Sequence, residues 1–256
     1  MFKKQEIHVI NFVISFQMMI SVCIAGYNGE KSIKQQLDSI LCQLDDEDEV
    51  IISDDGSTDQ TVKIIESYDD KRIKLIQNTQ SHGVVSNFEN ALLYTKGDYI
   101  FLSDQDDIWM PDKTKVMCEA LQKNDLVVCD AEIIDADNKL LHTSYYEIRK
   151  SGTGFVKNLI KNTYLGCCMA FRKEVLAYIL PFPKNIAMHD IWIGLCAELM
   201  GTPFFIQQRL VQYREHSQSA TSTTTNKSNI SFYKQIEYRL YFLLHVVKRK
   251  LRLSNS

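Results

Sequence analysis

Three of the four residues in Asp104-Gln105-Asp106-Asp107 are acids, and a second acidic pair, Asp54-Asp55, lies some fifty positions earlier. Both follow apolar runs. Carboxylates packed this closely repel one another and cost stability unless a cation answers them. Asp54-Asp55-Gly56-Ser57 is a competent turn by itself, and Asp59 beside it can cap a helix. The later run is not explained in that way, because a four-residue turn does not require three acids. The chemistry that does require them is the holding of a divalent cation that bridges phosphate oxygens. Mg2+ typically takes one or two carboxylates together with phosphate oxygens and water.

For these acids to act together, the elements before them must end side by side. Residues 20–25 (ISVCIA) form a short β-branched run that stops at a turn cluster, Gly26-Tyr27-Asn28-Gly29. That pattern predicts a strand buried on both faces. Residues 30–44 place Ile33, Leu37, Ile40, Leu41 and Leu44 at helical spacing. Strands are predicted over 50–53, 72–77, 98–102 and 126–134, with helices over 84–94 and after Pro111. The resulting alternation of strand and helix indicates an α/β domain with a mainly parallel central sheet flanked by helices. Ligands of such sheets bind beyond the carboxyl ends of the strands. That edge collects Ala25-Gly26-Tyr27-Asn28, then Asp54-Asp55, then Asp104, Asp106 and Asp107. Further along, a strand is expected over 167–172, a helix over 190–200 and a strand over 204–213. Residues 217–231 form a polar, mobile loop, and a last helix spans 230–253.

Composition narrows the class. The chain has 256 residues, 45% hydrophobic and 24% charged, with a net charge of −3, which suits a globular enzyme-sized core and offers no basic excess for nucleic acid. Seven cysteines without a C-x-x-C pair, most of them in apolar runs, read as reduced thiols and a cytoplasmic protein. Residues 1–18 read as a dispensable extension rather than a cleaved signal, since Asn11, Ser15 and Gln17 interrupt the apolar run and no A-x-A-like site follows. There is no G-x-G-x-x-G, P-loop, H-E-x-x-H or G-x-S-x-G motif. The last helix carries Phe232, Ile236, Leu240, Leu243, Leu244 and Val247, then Lys248, Arg249, Lys250 and Arg252. It packs on the domain with a solvated basic end, or it makes peripheral contact with the cytoplasmic face of the inner membrane.

The segments SVCIAGYNGEKSIKQQLDSIL, DEVIISDDGSTDQT, GDYIFLSDQDDIWMPDK, HDIWIGLCAELMG and VQYREHSQS, in this order, resemble glycosyltransferase family 2 in its bacterial polysaccharide-type, SDQDDIW form. The resemblance covers residues 19–219. It implies a GT-A, Rossmann-like domain there, with 220–256 as a polar loop and an amphipathic basic helix. It further implies an inverting transfer of sugar from a UDP- or dTDP-sugar to a hydroxyl of a glycan or polyprenyl-linked oligosaccharide, aided by Mn2+ or Mg2+. Residue by residue, Ala25 and Tyr27 match positions flanking the base, Tyr27 by stacking. Asp55 matches the acceptor for the pyrimidine imide, and Asp54 orders its loop. Asn87 approaches the nucleotide. Asp104 and Asp106 form the D-x-D pair, Asp106 on the metal and Asp104 near the ribose or a metal-bound water, with Asp107 the weaker candidate. Asp190 matches the catalytic base, although Asp before an apolar helix also suits an N-cap. His189 beside it packs, and His216 matches a late metal ligand. Glu30 is structural. Gly26 departs from the Thr or Ser common in the family. A sugar nucleotidyltransferase and a catalytically dead nucleotide-sugar-binding module are the competing expectations.

Overall fold

The structure is a computed structural model and describes residues 18–215 and 232–255. The expected mobile loop over 217–231, nearly all of the expected N-terminal extension, and His216 lie outside the described residues.

The first half follows the strand–helix alternation. β1 (Ile20–Gly26), α1 (Ile33–Leu41), β2 (Glu49–Asp54), α2 (Thr61–Glu66), β3 (Ile73–Gln77), α3 (Val84–Leu92) and β4 (Tyr99–Asp104) come in order. β1 lies between β2 and β4, and all three run parallel, with β3 outside β2. The apolar runs are explained by burial on both faces, since Val22, Cys23, Ile24, Ile51, Ile52, Phe101 and Leu102 are fully inaccessible. α1 turns Ile33, Leu37 and Ile40 onto this sheet, each worth about 1.5–3 kcal/mol when buried. Gly97, just before β4, is forced by close approach, because a Cβ there would lie 2.6 Å from the Ser21 amide nitrogen.

Pairing register delivers the acids. Gly26 sits opposite Asp54, and Ala25 opposite Asp104. The first turn cluster and both acidic runs therefore leave the sheet at one edge, as the strand order required.

The second half is mixed rather than parallel. β5 (Ile108–Trp109), α4 (Lys113–Leu121), β6 (Leu126–Ile134), β7 (Leu140–His142), α5 (Tyr145–Arg149) and α6 (Phe155–Ile160) lead to β8 (Met169–Arg172). β8 inserts between β4 and β6 and runs antiparallel to both. α7 (Leu176–Ile179) and α8 (His189–Met200) follow, then β9 (Pro203–Arg214), which pairs parallel with β6 and antiparallel with β5. The strand expected over 167–172 begins two residues late, because Gly166–Cys168 forms a 3-10 turn. The last helix, α9 (Phe232–Ser254), packs on α8, α7 and α6. Among the described residues no helix is long and apolar enough to cross a membrane.

Candidate nucleotide, metal and base site

The turn after β1 is zipped to the turn after β2. Asn28 accepts from the Thr58 amide (2.8 Å) and its own amide donates to Ser57 Oγ (2.9 Å). Glu30 accepts from the Gln60 amide, and its amide donates to Asp59. Asp59 thus brackets the two loops and also accepts from the Thr61 amide (2.9 Å) at the start of α2, while Gln60, at the formal cap position, makes no side-chain cap. Asp54 gathers the amides of Gly56 and Ser57 at 3.0 and 2.9 Å and the Ser57 hydroxyl at 2.5 Å, which closes the turn on itself.

Asp55 is buried at the floor of this region. Its Oδ1 accepts from Asn78 Nδ2 (2.8 Å) and stands 3.2 Å from His82 Nδ1, and its Oδ2 accepts from the Gly83 amide (2.7 Å). Asn87, from α3, donates to the Gly26 carbonyl at 3.0 Å, while its own Oδ1 is buried without a partner. Ala25 is half-buried and the Tyr27 side chain is 54% exposed, so a planar ring can reach its face. The glycine at 26 is not a steric necessity, because a Cβ would meet only ordinary contacts at 3.5 Å.

Gln105 is a residue the sequence reading missed. Its Oε1 accepts from the Tyr27 amide and its Nε2 donates to the Tyr27 carbonyl, both at 2.8 Å. This reciprocal pair ties the first loop to the acidic loop. Gly29 is the space it needs, since any Cβ there would collide with the Gln105 amide.

Asp104 and Asp106 are half-buried and Asp107 is buried. Burial, then repulsion from Asp107, Asp106 and Asp190, pushes the Asp104 carboxyl well above the ordinary range. Burial and Asp106 push Asp107 up to about 7, against a downward pull from the Cys167 thiol, the Arg214 amide and Lys113. Asp107 Oδ1 accepts from the Arg214 amide at 2.9 Å, and Oδ2 is buried with no hydrogen-bond partner. Ligand atoms of Asp104, Asp107 and Cys167 lie within 4.8 Å of one another, a grouping that does not include Asp106.

Two cations hold this loop from behind. Lys113 is fully buried, with Nζ 2.9 Å from the Cys167 carbonyl and 4.0 Å from the centre of the Trp109 ring. Arg214 donates to the carbonyls of Asp106 (2.7 Å), Asp135 and Ala136 and to Gln35 Oε1. Neither could be assigned from spacing, because Arg214 reaches Asp107 across 107 positions.

Asp190 lies in the first turn of α8, yet it is not the cap. Met188 occupies the cap position, and no side chain caps the helix. The Asp190 side chain instead accepts from the Ile191 amide at 2.6 Å and from Asn162 Nδ2 at 3.3 Å. Arg149 donates to the Asn162 carbonyl at 3.0 Å and lends positive charge. Burial pushes Asp190 up to about 6. Its charge acts on Asp104, so the two acids share one electrostatic space. His189 packs on Phe88 with ring centres 4.1 Å apart and the planes tilted by 32°, and burial depresses it to about 3, which leaves it neutral.

The donor set fits a divalent cation. Asp104 and Asp107 cluster with the Cys167 thiol, burial and then repulsion from neighbouring acids raise both, and one buried Asp107 oxygen has no hydrogen-bond partner.

Comparisons place this architecture. The family model described as Glycosyl transferase family 2 matches residues 21–180. An uncharacterized glycosyltransferase of Nostoc sp. is 28% identical, over 90% of this chain and 77% of its own length. The dTDP-rhamnosyl transferase RfbG of Shigella flexneri is 29% identical, over 82% of this chain and 75% of its own. The Escherichia coli UDP-Glc:alpha-D-GlcNAc-diphosphoundecaprenol beta-1,3-glucosyltransferase WfgD is 27% identical, over 64% of each chain. Among solved structures, S. aureus TarS 1-349 in complex with UDP-GlcNAc superposes with a TM-score of 0.68 at 21% identity, over 89% of this chain and 67% of that one. The mannosyltransferase PcManGT of Pyrobaculum calidifontis, in complex with GDP-Man and Mn2+, superposes at 0.59 and 18%, over 93% and 65%.

Proposed function

The chain belongs to glycosyl transferase family 2 and is a glycosyltransferase with a GT-A fold, and from that premise we propose an inverting, metal-dependent transfer of sugar from a UDP- or dTDP-sugar to a hydroxyl of a glycan or lipid-linked oligosaccharide. Surface polysaccharide synthesis is its setting, by analogy with the glucosyltransferase WfgD and the rhamnosyl transferase RfbG. The observation that carries the proposal is a buried carboxylate, Asp190, held by the Ile191 amide and Asn162, close enough to the acidic cluster for its charge to act on Asp104.

Each residue then has a task. Tyr27 stacks on the base and Asp55 accepts from its imide. Asp55 already accepts at both oxygens, but a carboxylate has about four lone-pair sites, so an imide N–H is accommodated. Uracil and thymine present the same imide edge, which fits both UDP and dTDP donors. Asn87 Oδ1 is an unanswered acceptor on the nucleotide side. Asp104 and Asp106, the half-buried acids, are reachable from solvent and hold the cation. Asp107 props the loop from below through the Arg214 amide. His216 is retained as a further ligand by resemblance. Mn2+ or Mg2+ held by Asp104 and Asp106 would supply positive charge to offset the negative charge of a diphosphate leaving group. Asp190 takes the proton from the acceptor hydroxyl as attack proceeds. A single base opposite the leaving group gives one displacement, hence inversion.

Nucleotide release with a panel of donors, in Mn2+, in Mg2+ and in chelator, tests the assignment. Release from a uridine or thymidine donor, abolished by chelator, is expected. Preferential release from a guanosine donor would remove the imide assignment for Asp55. Gln105→Ala, which cuts the two bonds to Tyr27, should raise the donor KM by up to about thirtyfold with a smaller change in kcat, since each bond is worth about 1 kcal/mol. An unchanged KM would mean that the first loop holds its shape without the acidic loop.

A further inference from the structure

α9 carries two apolar faces rather than one. Phe242 and Val246 point into the domain and are buried. That inner side is pinned by polar bonds as well. Arg239 donates twice to the Ile160 carbonyl, at 3.0 and 2.7 Å, and Arg249 donates to the carbonyls of Tyr178 (3.1 Å) and Pro181 (2.6 Å) while lying over the Trp192 ring. Tyr241 donates its hydroxyl to the Lys184 carbonyl. The helix is therefore fixed in rotation, and its opposite side is determined.

That opposite side is apolar. Ile236, Leu240, Leu244, Val247 and Leu251 are 37–60% exposed. Their spacing of four, four, three and four residues draws one narrow stripe along the helix. The sequence pattern alone merged this stripe with the inner one. Lys234 and Lys248 flank it in the exposed set, and Lys250, which bonds the Leu199 carbonyl, is exposed on the other flank. The described helix holds six basic residues, Lys234, Arg239, Lys248, Arg249, Lys250 and Arg252, against one acid, Glu237.

We infer that the outward stripe of α9 docks this domain on an anionic lipid bilayer, with the helix lying in the interface. The charge pattern selects the occupant. Two copies paired along this stripe would bring the flanking Lys234, Lys248 and Lys250 of each copy together at one seam, whereas anionic headgroups answer these lysines. An apolar stripe with lysines on its flanks is the arrangement that adds apolar burial to electrostatic attraction at a membrane surface. No described helix spans a bilayer, so the contact is a surface one. This inference goes beyond the assignment of donor and acceptor and does not depend on it.

The test is co-sedimentation of the full chain with vesicles of phosphatidylcholine alone or mixed with phosphatidylglycerol, at low and high salt. The wild type is expected to pellet with the anionic vesicles and to be released by salt. L240E/L244E should lower the bound fraction at least about tenfold, with an unchanged melting temperature because both side chains are outside the core. K248E should weaken binding to anionic vesicles and leave neutral ones unaffected. Equal pelleting of wild type and L240E/L244E overturns the inference. So does a failure of the wild type to pellet, and so does a dimer in solution that L240E/L244E dissociates without any vesicle binding.

Discussion

Asp190→Asn is expected to lower sugar transfer by about 10²–10⁴-fold, the range for loss of a positioned general base, while nucleotide binding measured by calorimetry stays intact. The amide keeps the shape and can still accept from Ile191, but it cannot take the acceptor proton. Wild-type transfer should fall on the acid side with an apparent pKa near 6, because burial lifts Asp190 to that value and only the carboxylate is a base. The same shift has a stability consequence of definite sign. A folded pKa above the unfolded one means that burial favours the neutral acid. The stabilisation is fully present below the ordinary aspartate range and is lost as pH rises through about 6. Asp190→Asn should therefore raise the melting temperature at pH 7.5, by at most roughly 3 kcal/mol of stability, and give no gain at pH 3.5. A variant that transfers at the wild-type rate removes Asp190 as the base. A variant that is inactive but less stable at pH 7.5 would point to a structural role.

How much of this was legible in the sequence follows from the range of the interactions. The β1–β4 sheet was readable because each strand is a local apolar run closed by a local turn, and parallel register then fixes where Asp54 and Asp104 emerge. The reversal at β8 was not readable. A four-residue strand has no periodicity, and its direction is set by partners in β4 and β6 rather than by its own residues. The acids stood out because a local excess of charge needs an explanation. Their supports did not. Gln105 looks like one more polar turn residue until its amide is seen bridging to Tyr27, and Lys113 reads as a surface lysine until it is found fully buried behind the Cys167 carbonyl. Asp190 was located from its motif, but the cap alternative failed on a matter of two residues, since the helix starts at His189 with Met188 at its cap. α9 was predicted almost to its ends. Its two apolar faces separate only when Phe242 and Val246 are seen inside.

The acidic loop makes a prediction of similar size that combines stability with catalysis. Asp107 is raised to about 7, so its protonated form is favoured by the fold, and the stability that goes with it is present near pH 4 and lost as pH rises through 7. Asp104 is raised in the same sense, by burial first and then by its acidic neighbours. Without a cation the folded state should thus weaken across this interval. Divalent cation and proton compete for the same crowded oxygens, so cation binding should strengthen as pH rises. Adding Mn2+ or Mg2+ should raise the melting temperature little at pH 5 and more at pH 8. At a hundredfold excess over Kd the gain is about 2.7 kcal/mol, or ~5 °C or more for a chain of this size. D104N/D106N should abolish that gain, raise the melting temperature of the cation-free protein by relieving repulsion, and lower transfer by at least about 10³-fold. D107N separates the two acids that follow Gln105. If Asp106 holds the cation, D107N keeps the thermal gain. If the buried oxygen of Asp107 is the ligand, D107N loses it and D106N keeps it. An equal gain in the wild type and D104N/D106N, or a transfer rate indifferent to chelator, would mean that these carboxylates are crowded for some purpose other than a metal.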